Sequence, residues 1–420
     1  MIEIYKTARA QLLLPSLTVY RAALAQEPVR LLRELLEAVR GFDPRVFIGA
    51  WCALYACLLG SGPASFRRAL EEAFLYDDNR FTRTGAADAA VAGGALNDLE
   101  TLLFLRGLCA DELKREAMQN FEEDIEACGV IAALPEFSAQ SAGGPFDCED
   151  AAQLLRRLEE FHRVNGFGVF ARSMAFRWRA AGGDYALCPV KNPDPVRVEQ
   201  LRGYEYERKT VFDNTLRFVE GLPASNMLLY GDRGTGKSST VKAVFNALSA
   251  RGLRIVEIAK ENLAGFAELY ALLGGLPLRF ILFIDDLTFS DEDNGFAALK
   301  AALEGSLAAR PANAVIYATS NRRHLVRESF SERSSDDVHA ADTMQEKLSL
   351  ADRFGITVTF SQPDQRLYLR IVRELAQLRG LEIEPEALER GALQWAMRYN
   401  GRSPRTACQY VDQLASGRGG

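Results

Sequence analysis

The stretch Leu228–Leu248, LLYGDRGTGKSSTVKAVFNAL, decides how the second half of this chain is read. Residues Gly231-Asp232-Arg233-Gly234-Thr235-Gly236-Lys237-Ser238 fit the spacing GxxxxGK[ST], and the apolar run NMLLYG leads into them. A helical pattern, SSTVKAVFNALSARG, follows and stops at Gly252. A strand, a glycine-rich turn and a helix in that order are the context of a phosphate-binding loop. The glycines let the backbone curl so that successive N–H groups face phosphate oxygens, and the helix N-terminus adds a favourable dipole. Lys237 is placed to reach the β- and γ-phosphates of a nucleotide and the Ser238 hydroxyl to hold Mg²⁺. The expected cofactors are ATP and Mg²⁺, with a nucleotide-binding set running from Gly231 to Ser239.

Further apolar runs flank this stretch: RIVEIA, FILFID, AVIYATS and ITVTF. Most of these runs are continuous rather than alternating hydrophobics, the pattern of strands buried on both faces of a parallel sheet. Helical patterns lie between them, which predicts an α/β domain built on five parallel strands. The run FILFIDDLTFS ends in Asp285-Asp286. A carboxylate at the end of a buried strand beside the phosphate loop suits Asp285 to the metal's water shell. Asp286 is the candidate general base for the attacking water. Many phosphate-loop machines carry glutamate there; aspartate is one methylene shorter, so water must sit closer or turnover must be slow. The later acidic run Asp291-Glu292-Asp293 reads as a solvated loop.

With RGTGKSS, FIDDLTF, YATSNRRHL, EKLSLADRFG and GRSPRTA in place, the half from about residue 196 onward resembles the AAA+ ATPases. DRFG and SPRTA are similar to pieces of the bacterial Holliday-junction branch-migration motors. A closer likeness is to a bacterial family of predicted AAA+ ATPases of unknown function. The resemblance is strong over the C-terminal half and weak over the first 130 residues.

The resemblance implies further roles. Asn321 is the candidate sensor of the γ-phosphate, with Ser320 and Thr319 as neighbours; Arg322 and Arg323 read equally as solvated charges or as a phosphate or subunit contact. Arg353, just before the last strand, is the candidate finger reaching a neighbouring subunit's ATP, with an ion pair to Asp352 or Glu346 as the alternative. In YNGRSPRTACQYVDQL, Ser403-Pro404 opens a helix with Arg405 in its first turn. A cation there opposes the helix dipole, which points to an anionic ligand; Arg405 is the lid sensor and Arg402 its understudy. Leu201, Gly203 and Tyr204 are candidates for the adenine pocket. The implied assembly is a homo-oligomer, a ring or partial ring, remodelling an unidentified protein client.

The remaining sequence reads as a helical N-terminal domain over 1–132, a connecting segment over 133–195, the α/β core over 196–361 and a helical lid over 362–420. In EPVRLLRELLEAVRGF, Pro28 opens a helix whose apolar face is Val29, Leu32, Leu35, Leu36 and Val39. AAQLLRRLEEFHRV is a second amphipathic helix, whereas GVFARSMAFRWRA fits strand and helix alike. Val46–Phe66 carries no charged residue, but the glycines, serines and proline near its end point to a shorter core helix stopping near Gly60 rather than a membrane span.

Seven scattered cysteines and three distant histidines suggest neither a disulfide framework nor a metal site. A net charge of -6 leans away from a whole-protein nucleic-acid footprint, and the expected location is cytoplasmic. Three other readings stand beside the remodelling ATPase. They are an ATP-dependent switch or scaffold with slow hydrolysis, a nucleic-acid-associated motor or loader by analogy alone, and a small-molecule kinase.

Overall fold

The computed structural model describes residues 6–60, 62–287, 294–304, 311–321, 353–399 and 401–417. The chain divides into two compact units, one ending at Arg172 and one beginning at Ser173.

The described part of the first unit is helical. Helix α1, Glu27–Val39, takes Pro28 in its first turn and buries Val29, Leu32, Leu35, Leu36 and Val39. Helix α2, Pro44–Leu59, is capped by Asp43 accepting the Arg45 N–H, and it buries Phe47, Trp51, Leu54 and Leu58. At 16 residues it stops before Gly60; no described helix is long and apolar enough to cross a membrane. Helix α3, Ala151–Asn165, adds Leu154 and Leu158 to the same core. His162 on α3 is buried, and its Nδ1 lies 3.0 Å from the Gly166 carbonyl oxygen. Burial lowers its pKa, so it packs as a neutral ring.

Residues 133–195, read as a connection, contribute to both units. Glu71, fully buried, accepts from the Ser141 hydroxyl at 2.6 Å and the Ala142 N–H at 2.7 Å, which ties the glycine-rich segment to the helical core. A buried carboxylate needs such donors to offset its desolvation.

The second unit is built on a seven-stranded sheet of order β2-β1-β4-β5-β6-β3-β7. Its strands are β1 Ala175–Ala181, β2 Asp184–Pro189, β3 Met227–Gly231, β4 Leu253–Ile258, β5 Arg279–Ile284, β6 Ala314–Asn321 and β7 Ile356–Phe360. The five apolar runs are β3 to β7, and their pairings are parallel. The expected count of five is therefore corrected to seven. The extra pair is a hairpin in which β1 runs parallel to β4 and antiparallel to β2. Gly182 and Gly183 both take positive φ at its two-residue turn (62° and 98°). In β1, exposed Arg177 and Arg179 alternate with buried Phe176 and Trp178, so the run lacks the continuous apolar signature of the inner strands. Trp178 stacks on Tyr185 across the hairpin, ring centroids 5.5 Å apart.

Helix α4, Glu205–Val219, and helix α5, Lys237–Leu248, cover the sheet core: Val211 and Phe218 of α4 pack with Val241, Val244 and Phe245 of α5 over Leu229, Ile281 and Tyr317. Helices α6 Gln365–Leu378, α7 Pro385–Arg398 and α8 Pro404–Ser416 form the lid, with a small core of its own around Tyr368, Ile371, Ala392 and Tyr410.

Candidate functional site

Strand β3 runs into the glycine-rich loop, and α5 begins at Lys237. Gly231 (φ 140°), Gly234 (φ 76°) and Gly236 (φ 96°) curl the loop through backbone conformations that other residues rarely adopt. Gly231 is constrained twice, because a Cβ there would sit 2.0 Å from the Phe360 carbonyl oxygen of β7. The loop is braced by Thr235 donating to the Asp232 carbonyl at 2.8 Å and by the Asp232 carboxylate accepting the Gln362 N–H at 2.9 Å. Arg233 is exposed.

Lys237 is the centre of the arrangement. It is 7% exposed and donates to the carbonyls of Gly231 (2.9 Å) and Asp232 (2.8 Å) and to Asn321 Oδ1 (3.1 Å). Three acceptors match the three protons of an ammonium group. Burial pulls its pKa down to about 8, against the opposing pull of the Asp232, Asp286 and Asp285 carboxylates. Desolvation wins by a margin on the order of 3 kcal/mol. That cost is present below pH about 8, while the ammonium is charged, and is relieved as pH rises toward the ordinary lysine range.

The acidic turn lies at the end of β5, separated from β3 by the single strand β6. Ser238 Oγ donates to Asp285 Oδ1 at 2.5 Å, and Thr319 Oγ1 donates to the same oxygen at 2.6 Å. Asn321 Nδ2 donates to Asp286 Oδ1, so one amide side chain bridges Lys237 and Asp286. Asp286 takes φ 52°, left-handed for a non-glycine residue, a conformation that persists where surrounding bonds over-determine it. Those bonds are the Thr319 hydroxyl accepting the Asp286 N–H at 2.9 Å and the Thr319 carbonyl accepting the Leu287 N–H at 2.7 Å.

Among the described residues no group of three or more His, Cys, Asp or Glu could hold a metal ion. The hydroxyl of Ser238 and the carboxylate of Asp285 nevertheless converge beside the phosphate loop. A hard-oxygen pair of this kind fits Mg²⁺ bound jointly with phosphate oxygens and water rather than in an all-protein cage.

The lid meets the loop through its last helix: the Arg405 N–H donates to the Gly234 carbonyl at 3.2 Å, while the Arg405 side chain is exposed. A narrow cavity of about 50 Å³ borders Thr235 and Gly236 and is walled by Leu201, Tyr204, Phe360 and Ile371. Tyr204 caps α4 in a left-handed conformation (φ 58°), and its hydroxyl donates to the Ser361 carbonyl at 2.5 Å. Phe360, Thr240 and Ile371 had no motif to single them out; they reach the cavity through the fold.

Arg353 lies elsewhere. It precedes β7, whose first residue Ile356 pairs with Met227 and whose last, Phe360, pairs with Gly231. The phosphate loop and Arg353 thus flank opposite ends of the strands. Arg322, Arg323 and the acidic run at 291–293 lie outside the described residues.

A family profile described as "Protein of unknown function (DUF815)" matches residues 171–418. The chain belongs to this family. The DUF815 match opens two residues before the second unit and takes in the β1–β2 hairpin, the phosphate loop and the lid. No curated protein matches the chain. Among solved structures, the Holliday junction branch migration motor RuvB of Thermotoga maritima matches at 18% identity and TM-score 0.35, covering 53% of this chain and 65% of that one. Two point variants of the same motor match at 18% identity and TM-score 0.36 with the same coverage. The chain thus spans 65% of the length of those structures. Identity this low fixes neither activity nor partner for the DUF815 chain.

Proposed function

We propose that the protein is an AAA+-type ATPase that binds ATP with Mg²⁺ and uses its hydrolysis to remodel a partner, acting as a homo-oligomer. The observation that carries the reading is the convergence of Lys237, Asn321 and Asp286 in one set of short contacts and of Ser238 and Asp285 in another, joined through Thr319. In this reading the loop N–H groups from Gly231 to Ser239 cradle the phosphates, and Lys237 exchanges its internal acceptors for β- and γ-oxygens. Ser238 and Asp285 would hold the cation, which would supply charge neutralisation to the nucleotide phosphates. Asp286 accepts a proton from the attacking water, and Asn321 and Arg405 report the γ-phosphate to the lid. Leu201 and Tyr204 border the base.

Purified protein should bind ATP in calorimetry and release phosphate in a Mg²⁺-dependent assay. Asp286→Asn is expected to keep ATP affinity within about threefold and to lose turnover by about 10²- to 10⁴-fold; unchanged turnover would remove Asp286 from its role. A second reading is favoured by the Asn321–Asp286 bond, which occupies the short carboxylate. Here ATP acts as a conformational ligand and hydrolysis is slow. Tight binding with negligible phosphate release by the wild-type protein would select it.

The pH dependence is expected to follow Lys237. Phosphates favour its charged form, so binding above pH about 8 takes up a proton and weakens as pH rises further. Affinities measured at pH 7, 8 and 9 should fall across the upper interval and hold across the lower one.

A further inference from the structure

We infer that Thr319 is the positioning residue for the metal-binding acid, acting from β6, the strand paired with the one that leads into the phosphate loop. This rests on the nucleotide–metal reading of the site. Thr319 is 2% exposed on β6, in register with Leu229 of β3, two residues short of Gly231. From there it engages three successive residues of the acidic turn. Its hydroxyl donates to Asp285 Oδ1 at 2.6 Å and accepts the Asp286 N–H at 2.9 Å, and its carbonyl accepts the Leu287 N–H at 2.7 Å.

The direction of each bond is settled by chemistry. An amide N–H cannot accept and an ionised carboxylate cannot donate, so the single hydroxyl proton goes to Asp285 and a lone pair takes Asp286. Serine at 320 adds a lesser brace, donating to the Leu287 carbonyl at 2.9 Å.

Two hydroxyls share Asp285 Oδ1, and they differ in what a cation would do to them. Ser238 lies in the first turn of α5, at the end of the glycine-rich loop, and its bond to Asp285 would be exchanged for the cation that both would ligate. Thr319, buried on β6 and outside the loop, keeps its bond, so it fixes which way the remaining lone pairs of Asp285 point. The same hydroxyl holds the amide of Asp286 in its left-handed conformation, which couples the aim of one acid to that of the next. Groups that orient a metal ligand in this way commonly change metal affinity by about 10- to 100-fold when removed.

The test is the Mg²⁺ dependence of nucleotide binding, read by calorimetry with ADP in EDTA and across a Mg²⁺ titration. Thr319→Val keeps the shape and removes the hydroxyl. It is expected to leave ADP affinity in EDTA within about twofold of wild type and to raise the Mg²⁺ concentration for half-maximal enhancement by at least about tenfold. Thr319→Ser, which restores the hydroxyl, should return that midpoint to within about threefold. Should valine prevent folding, Thr319→Ala carries the same expectations.

A wild-type midpoint in the valine or alanine variant overturns the inference, as does an equal loss of affinity with and without Mg²⁺, or a serine variant as impaired as valine. If the wild-type protein shows no Mg²⁺-dependent nucleotide binding, the reading of the site itself fails. That outcome is separable from a failure confined to Thr319.

Discussion

Replacing Lys237 by alanine is expected to abolish measurable ATP binding. In the structure the ammonium donates to two loop carbonyls and to Asn321, all within 3.1 Å. Nucleotide phosphates would take over these protons as charge-assisted bonds, each worth roughly 1.5–3 kcal/mol. Two such bonds amount to a loss of affinity on the order of a thousandfold. The folded protein should tolerate the change better than the ligand does. Truncation leaves the Gly231 and Asp232 carbonyls without this donor, yet it also removes a cation whose desolvation outweighs its nearby carboxylates. These terms oppose each other, and the net stability change is expected to stay within about 1 kcal/mol. Calorimetry with ATP together with a thermal melt checks both halves. Wild-type affinity in a folded Lys237→Ala protein would refute the phosphate cradle.

Arg353→Ala should have the second large effect, this time on turnover alone. Four steps along β7 separate Ile356, near Arg353, from Phe360 beside the phosphate loop, or about 13 Å at about 3.3 Å per residue. On the proposed reading, an arginine at that end of the strands is out of reach of its own chain's nucleotide and would serve a neighbour's. The expected outcome is a fall in kcat of about 10³-fold or more, with ATP affinity held within about threefold. Complementation makes the test sharper. Mixing Arg353→Ala with Lys237→Ala subunits, each inactive alone, should restore part of the activity, because one supplies a competent cradle and the other the arginine. No recovery on mixing, or full turnover by Arg353→Ala alone, would sink the shared site.

Much of the architecture was legible in residue order. The β3–loop–α5 unit could be read because its signals are local: a five-residue buried strand, glycines where φ must be positive, and a helix opening on Lys237. The inner strands β4, β5 and β6 announced themselves by near-continuous hydrophobicity, and all eight residues of β6 are buried, whereas β7, at the sheet edge, alternates buried Val358 and Phe360 with exposed Thr357 and Thr359. The hairpin was harder. Arg177 and Arg179 face solvent in β1, and the two glycines that looked like a loop are its turn. The pattern of an edge element is half polar, so a short window does not separate it from an irregular segment.

The sequence by itself determined that a glycine-rich loop and an acid-ended strand belong to parallel strands of one sheet, because strand-period hydrophobicity and glycine spacing act over a few residues. Only the tertiary structure decided which side chains meet. Asn321 bridges Lys237 to Asp286, Thr319 grips both aspartates, and Phe360 closes on Gly231 across separations of 33 to 129 positions. It also decided that Arg353 belongs to the opposite end of the strands. Those outcomes depend on strand order, with β6 lying between β3 and β5 and β7 beside β3. Strand order follows from long-range packing of buried faces, which no local spacing encodes.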